Sequence, residues 1–150
     1  MPFLHLRIRF LPIKELLFLW LVKKNTKNQT CLEAGEEAQF AIFGDQMKGF
    51  ATKGEPDVHH INKWLVDNCF GDYYTRSSLD YAERELLTFC YLYSQGGCEP
   101  QLKGRIAANL RLGNDKNLLI AVISACIPYI GYPRTLNALS CINEVANAQQ

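Results

Sequence analysis

Residues 80–113 read DYAERELLTFCYLYSQGGCEPQLKGRIAANLRLG, and the reading of this stretch decides the fold. Asp80 suits a helix N-cap, and Glu83 three residues on completes a capping box. Leu86 to Tyr93 is nearly all apolar, which predicts a helix buried on most sides. Gly96 and Gly97 break that helix, and Pro100 fits the first turn of the next, which runs to Gly113 as a C′ glycine. The stretch therefore predicts a helical hairpin with a tight turn. Glu85, Cys98 and Arg105 are its ionisable residues placed where the two helices face one another. A buried helix carrying Arg84 and Glu85 must give those charges partners.

Upstream, Leu32–Phe43 has helical composition with Leu32, Phe40 and Phe43 available for one face, and Gly44 ends it. Pro56-Asp57 starts a helix to about Asn68, in which Val58, Ile61, Leu65 and Cys69 form a buried stripe at helical spacing. Phe70-Gly71-Asp72-Tyr73-Tyr74 reads as an aromatic loop. Downstream, Asn114 or Asp115 caps a helix to about Tyr129 with Leu118, Leu119, Val122, Ile123 and Cys126 on its apolar face. Pro133 begins a last helix, carrying Leu136, Leu139, Ile142 and Val145. No segment alternates with the period of a strand. The expected class is all-α.

With 150 residues, the chain suits one domain. Its formal charge of +1 argues against a nucleic-acid partner, since such proteins show a strong basic excess. Phe3–Val22 is rich in Leu and Phe, yet its longest clean run, Leu16–Val22, is seven residues, against about 20 for a membrane span. It also lacks the small-residue cleavage site of a secretory leader. Residues 1–28 are read as an extension and linker, with a membrane-surface anchor or leader as the alternative reading, and 29–150 as the domain. Cys69, Cys90, Cys126 and Cys141 fall in apolar patterns and read as small buried residues in a reducing, cytoplasmic compartment. Neither a CxxC pair nor a Cys/His spacing suggests a zinc site, and His59-His60 reads as helix surface. No cofactor is expected.

The chemistry open to the hairpin has two readings. Cys98 lies at a helix N-terminus, where free N–H groups and the helix dipole favour a thiolate. Arg105, two turns along the same face, offers five donors to a carboxylate. Glu85 can join them from the facing helix, in apolar surroundings that move a carboxylate's pKa. Equally, Glu85 and Arg105 can be a plain interhelical salt bridge and Cys98 an unreactive turn residue.

CFGDYYTRSSLD at Cys69–Asp80, RELLTFCYLYSQGGCEPQLKG at Arg84–Gly104, the Gly113-Asn114 turn and YIGYPRTLNAL at Tyr129–Leu139 together resemble the carboxymuconolactone decarboxylase family. That family also contains the alkylhydroperoxidase D-like proteins. The resemblance spans Leu32 to Val145. It implies an alkylhydroperoxidase D-like bundle of about six helices with a central hairpin, assembled as a homo-oligomer, a trimer or hexamer. It implies a small carboxylate or hydroperoxide as substrate. The peroxidase-like branch uses a CxxC followed after three residues by His, with a Glu on the preceding helix; here Cys98 matches the first cysteine, while Gln101 and Arg105 replace the second cysteine and the histidine. A dithiol cycle would then need Cys90 or Cys126 as second thiol. The decarboxylase branch keeps the histidine, and an arginine there cannot shuttle protons near neutral pH, though it can hold a substrate carboxylate. The expected readings are a lyase on a small carboxylated lactone, a thiol peroxidase using Cys98, or a non-catalytic homologue.

Overall fold

The computed structural model describes residues 29–148; the expected N-terminal extension lies outside them. Helix α1 (Cys31–Phe43) is capped by Thr30, whose hydroxyl accepts from the Glu33 amide at 3.2 Å while Glu33 accepts from the Thr30 amide at 2.8 Å. Three short 3₁₀ turns follow, then α2 (His59–Trp64), which runs directly into a π-helix (Leu65–Tyr73). The hairpin is α3 (Tyr81–Gln95) and α4 (Glu99–Arg111), and α5 (Lys116–Ala148) completes the fold. There is no strand among the described residues, so the class is all-α as expected.

The hairpin signals act locally and hold. Asp80 accepts from the Glu83 amide at 2.8 Å, and Glu83 accepts from the Asp80 amide at 2.9 Å. Gly96 and Gly97, at φ 70° and 73°, reverse the chain in a region that L side chains avoid. Asp115 caps α5 by accepting from the Leu118 amide at 2.7 Å. Arg134 reaches back from α5 to the Gln95 carbonyl, placing a cation at the C-terminal end of α3. The main core lies between α3, α4 and α5 and contains Phe89, Tyr93, Leu102, Ile106, Leu119, Ile123, Ala138, Cys141 and Ile142.

A smaller core joins α1, the π-helix and α4 through Ala38, Ile42, Phe70, Tyr74 and Ala108. Here two glycines set the geometry. A Cβ on Gly35 would collide with the Val66 carbonyl, and one on Gly71 with the Cys31 carbonyl. Backbone therefore lies on backbone where α1 crosses the π-helix.

Several sequence expectations are corrected. The buried face of α1 is Ala34, Gly35, Ala38, Gln39 and Ile42, and Phe40 is exposed, because close approach selects small side chains over large apolar ones. Val58, Ile61 and Leu65 are exposed and Cys69 is half-buried. The turn at Val58 and helix α2 bury none of their residues, and bonding shifts from i→i+4 to i→i+5 after Trp64, so beyond that point a stripe extrapolated at 3.6 residues per turn also lands on the wrong face; Val66, Phe70 and Gly71 are the buried residues. The expected Phe70–Tyr74 loop is the end of that π-helix and its C-cap. Leu87 and Tyr91 leave α3 bare on one side, with Tyr91 73% exposed. The last two expected helices are divided at Gly131 (φ 75°, ψ 169°) as the Gly-Tyr-Pro turn predicts, but Leu118 and Leu136, expected on their apolar faces, point outward. Of the four cysteines expected in the interior, only Cys141 is fully buried.

The glycine crossing yields a stability prediction. Gly71→Ala is expected to destabilise the fold by at least about 3 kcal/mol, with Gly35→Ala close behind. Gly104→Ala, at a helical position where an added Cβ meets nothing within 4 Å, is expected to be neutral or to stabilise by up to about 1 kcal/mol. Urea denaturation midpoints of the three variants check this order.

Candidate active site

The antiparallel hairpin brings Glu85, one turn into α3, against Arg105 on α4. Arg105 Nη1 donates to Glu85 Oε1 at 2.6 Å. The Glu85 side chain is 0% exposed and that of Arg105 15%. The guanidinium also lies over the rings of Phe43 and Phe70, with centroids at 4.9 and 5.2 Å. These two rings meet edge-to-face at 5.8 Å. Together they take the place of water on one side of a cation that the hairpin largely buries.

Tyr74, the C-cap of the π-helix, supplies the second partner: its hydroxyl donates to Glu85 Oε1 at 2.8 Å and lies 2.7 Å from Thr88 Oγ1. Both contacts of the carboxylate thus fall on one oxygen. Oε2 is buried with no hydrogen-bond partner. Burial pushes the Glu85 carboxyl above the usual carboxylate range, against the opposing pull of Arg105 and the Tyr74 hydroxyl. The Tyr74 phenol is pushed up in turn by burial and by the Glu85 charge. Cys69, on the π-helix near this pair, is a half-buried thiol that burial also pushes up.

Asn109 fixes the helices behind the pair. Its Nδ2 donates to the backbone carbonyls of Glu85 (3.0 Å) and Arg105 (2.8 Å). Its Oδ1 accepts from Asn114 Nδ2 at 2.8 Å, and Asn114 also donates to the Ala82 carbonyl. The open end of the hairpin is therefore stapled by two amides.

Of the three residues expected to converge, the structure joins Glu85 and Arg105 and leaves Cys98 apart. Cys98 is the N-cap of α4, yet its side chain caps nothing; Sγ donates at 3.4 Å to the carbonyl of Leu92. Leu92 lies seven residues beyond Glu85, about 10 Å along the helix axis at the α-helical rise. The thiol has turned toward the carbonyl end of α3 and away from the free N–H groups of its own helix. Cys90 and Cys126, the candidate second thiols, are half-buried and pack against the main core. Among the described residues, cavities of about 450, 390 and 290 Å³ open on the surface, and none of these three is lined by Glu85, Cys98 or Arg105. Tyr74 does line the one of about 450 Å³. Among the described residues, no group of three or more His, Cys, Asp or Glu side chains is placed to hold a metal ion.

Sequence reasoning missed Tyr74, Thr88 and Asn109. Asn109 carried a legible signal, an amide inside an otherwise apolar helical face that needs buried partners. Tyr74 carried none, because its direction depends on the π-helix.

Fold and site define a helical-hairpin protein with a buried acid–guanidinium pair at its centre. The profile of the carboxymuconolactone decarboxylase family matches residues 60–144, more than half of the chain. The chain belongs to the carboxymuconolactone decarboxylase family, and its all-α architecture is that of the alkylhydroperoxidase-like fold. No curated protein matches it.

The raised Glu85 carboxyl gives a signed pH dependence. The folded chain retains a proton that the unfolded chain releases between the ordinary carboxylate range and Glu85's own. Stability from this group is full below that interval and is lost as pH rises through it. Glu85→Gln, whose amide oxygen still accepts from Tyr74 and Arg105, is expected to abolish that part of the slope. Arg105→Met, which deletes the counter-charge, is expected to move the interval to higher pH. Denaturant midpoints measured from about pH 4 to 9 resolve both effects.

Proposed function

We propose that this chain is a carboxymuconolactone decarboxylase-like lyase that acts on a small carboxylated lactone or related acid. The observation that carries this reading is Glu85: a fully buried carboxyl with one oxygen held by Tyr74 and Arg105 and the other unpartnered. Loss of CO2 from a carboxylate leaves a carbanion or enolate, which takes up a proton to give the product. Glu85 is the proton carrier in this scheme and Arg105 the holder of the substrate carboxylate. The two roles are coupled. A substrate carboxylate that captures Arg105 removes the counter-ion of Glu85, which raises its pKa further and loads it with the proton the next step consumes. Cys98 has no part in this scheme. The alternative, a thiol-dependent peroxidase, would place hydroperoxide reduction on Cys98.

One specific observation favours a second reading. Arg105 is closed on Glu85 at 2.6 Å, and none of the three cavities is lined by either residue. In that reading the chain is a non-catalytic homologue that keeps the hairpin as a structural ion pair and binds a small anion or a partner protein elsewhere.

We also propose a homo-oligomer, a trimer or hexamer, in the reducing cytoplasm. Support comes from large apolar side chains that the single chain leaves bare. Leu87 and Tyr91 line one side of α3, and Tyr129 (82% exposed), Tyr132 and Leu136 project from α5. An apolar 18-residue window of α5 has mean hydropathy 1.3 and is only 17% buried. By length and composition alone that helix could also cross a membrane, but Leu119, Ile123, Ala138, Cys141 and Ile142 pack it into the core.

CO2 release from small carboxylated lactones tests the enzymatic reading. Glu85→Gln is expected to lower kcat/KM by about 10²–10³-fold. Arg105→Lys is expected to act mainly through KM, and Cys98→Ser to retain turnover. Turnover lost in Cys98→Ser, with rapid hydroperoxide consumption by the wild type, assigns the chemistry to the thiol; no turnover of either substrate class leaves the non-catalytic reading. In sedimentation, the wild type is expected as a trimer or hexamer, and Leu87→Glu with Tyr91→Glu as a smaller species.

A further inference from the structure

We infer that Tyr74 is a positioning residue for the Glu85 proton: its hydroxyl pins Oε1 and leaves Oε2 as the oxygen that carries and releases the proton. This rests on the reading of Glu85 as proton carrier. The direction of Tyr74 is set by the π-helix. Its amide donates to the Cys69 carbonyl five residues back at 3.2 Å, so Tyr74 stands rotated about the axis from where an α-helical continuation would put it. Its ring packs on Phe70, with centroids 4.8 Å apart, and Arg84 lies over the ring at 6.0 Å. At 7% exposure, the side chain has little freedom to swing.

The hydroxyl chain behind Tyr74 strengthens the pin. Thr88 Oγ1 lies 2.7 Å from the phenol oxygen and 2.9 Å from the Arg84 carbonyl. Two hydroxyl hydrogens thus serve three short contacts. When Thr88 gives its hydrogen to Tyr74, the phenol becomes a better donor to Glu85, because successive hydrogen bonds polarise one another. Arg105 from α4 loads the same oxygen. The ionisable groups facing Glu85 are Arg105 from α4, Tyr74 beyond the π-helix and Cys69 within it. Only Arg105 and Tyr74 bond to Glu85, and both choose Oε1. Oε2, buried without a partner, is the carboxyl oxygen left free to hold a proton.

Infrared difference spectra through a pH titration test this. The carboxylic-acid C=O band that disappears in Glu85→Gln belongs to Glu85. Tyr74→Phe keeps the ring and removes the hydroxyl. It is expected to move the band's titration midpoint to higher pH, and to lower kcat about tenfold with KM retained. Thr88→Val is expected to shift the midpoint in the same direction by less, and it carries the test if Tyr74→Phe fails to fold. A midpoint unmoved in both variants overturns the proposal. A midpoint that moves while no variant, wild type included, turns over a lactone upholds the positioning role and overturns the lyase reading.

Discussion

The contact between two stretches of backbone, α1 against the π-helix at Gly35 and Gly71, is the constraint on which the rest of the site depends. It admits no side chain on either glycine. It therefore fixes how deeply α1 settles and which residues of the π-helix turn inward. Phe70 and Phe43 reach Arg105 because of that depth, and Tyr74 reaches Glu85 because the wider winding carries it inward. A π-helix satisfies its backbone less well than an α-helix and persists where packing imposes it. Here the packing partner is a helix that can approach no other way.

The buried ion pair is dependent on that arrangement. Removing a carboxylate and a guanidinium from water costs several kcal/mol per ion, which an isolated pair in apolar surroundings does not reliably recover. Two adjacent aromatic rings beside Arg105, a phenol on Glu85 and the Asn109 amide on the carbonyls behind them, itself held by Asn114, offset part of that cost. The unpartnered Oε2 shows that the compensation is incomplete.

How much of this was legible in the sequence follows from the range of each signal. The hairpin could be read because caps and glycine turns act within three or four residues: Asp80 with Glu83, and Gly96 with Gly97. The pairing of Glu85 with Arg105 followed from the antiparallel closure of that hairpin. Cys98 does not join the pair because a residue at a helix start has two ends of helix nearby, and its thiol bonds a carbonyl of α3. The stripe of Val58, Ile61 and Leu65 failed because periodicity marks a face without saying whether anything packs on it, and α2 buries no residue; past Trp64 the winding changes as well, so Cys69 gives way to Val66 and Phe70. The buried face of α1 failed because Gly35, Ala34 and Ala38 are chosen for thinness, which hydrophobic patterning does not register. Tyr74 lay beyond reach for both reasons together, since its direction depends on the winding and its depth on the crossing.

Complete burial of Glu85 also separates equilibrium from rate. A carboxyl with no exposed atom and an oxygen that touches no donor or acceptor exchanges its proton only when something opens. The opening is a parting of the hairpin or a rotation of the hydroxyl chain, both slower than the ionisation of a surface acid. Its charge state therefore records conditions at the last opening, and bulk pH reaches it with a delay. Two molecules in the same buffer can differ in charge at this position for as long as each stays closed.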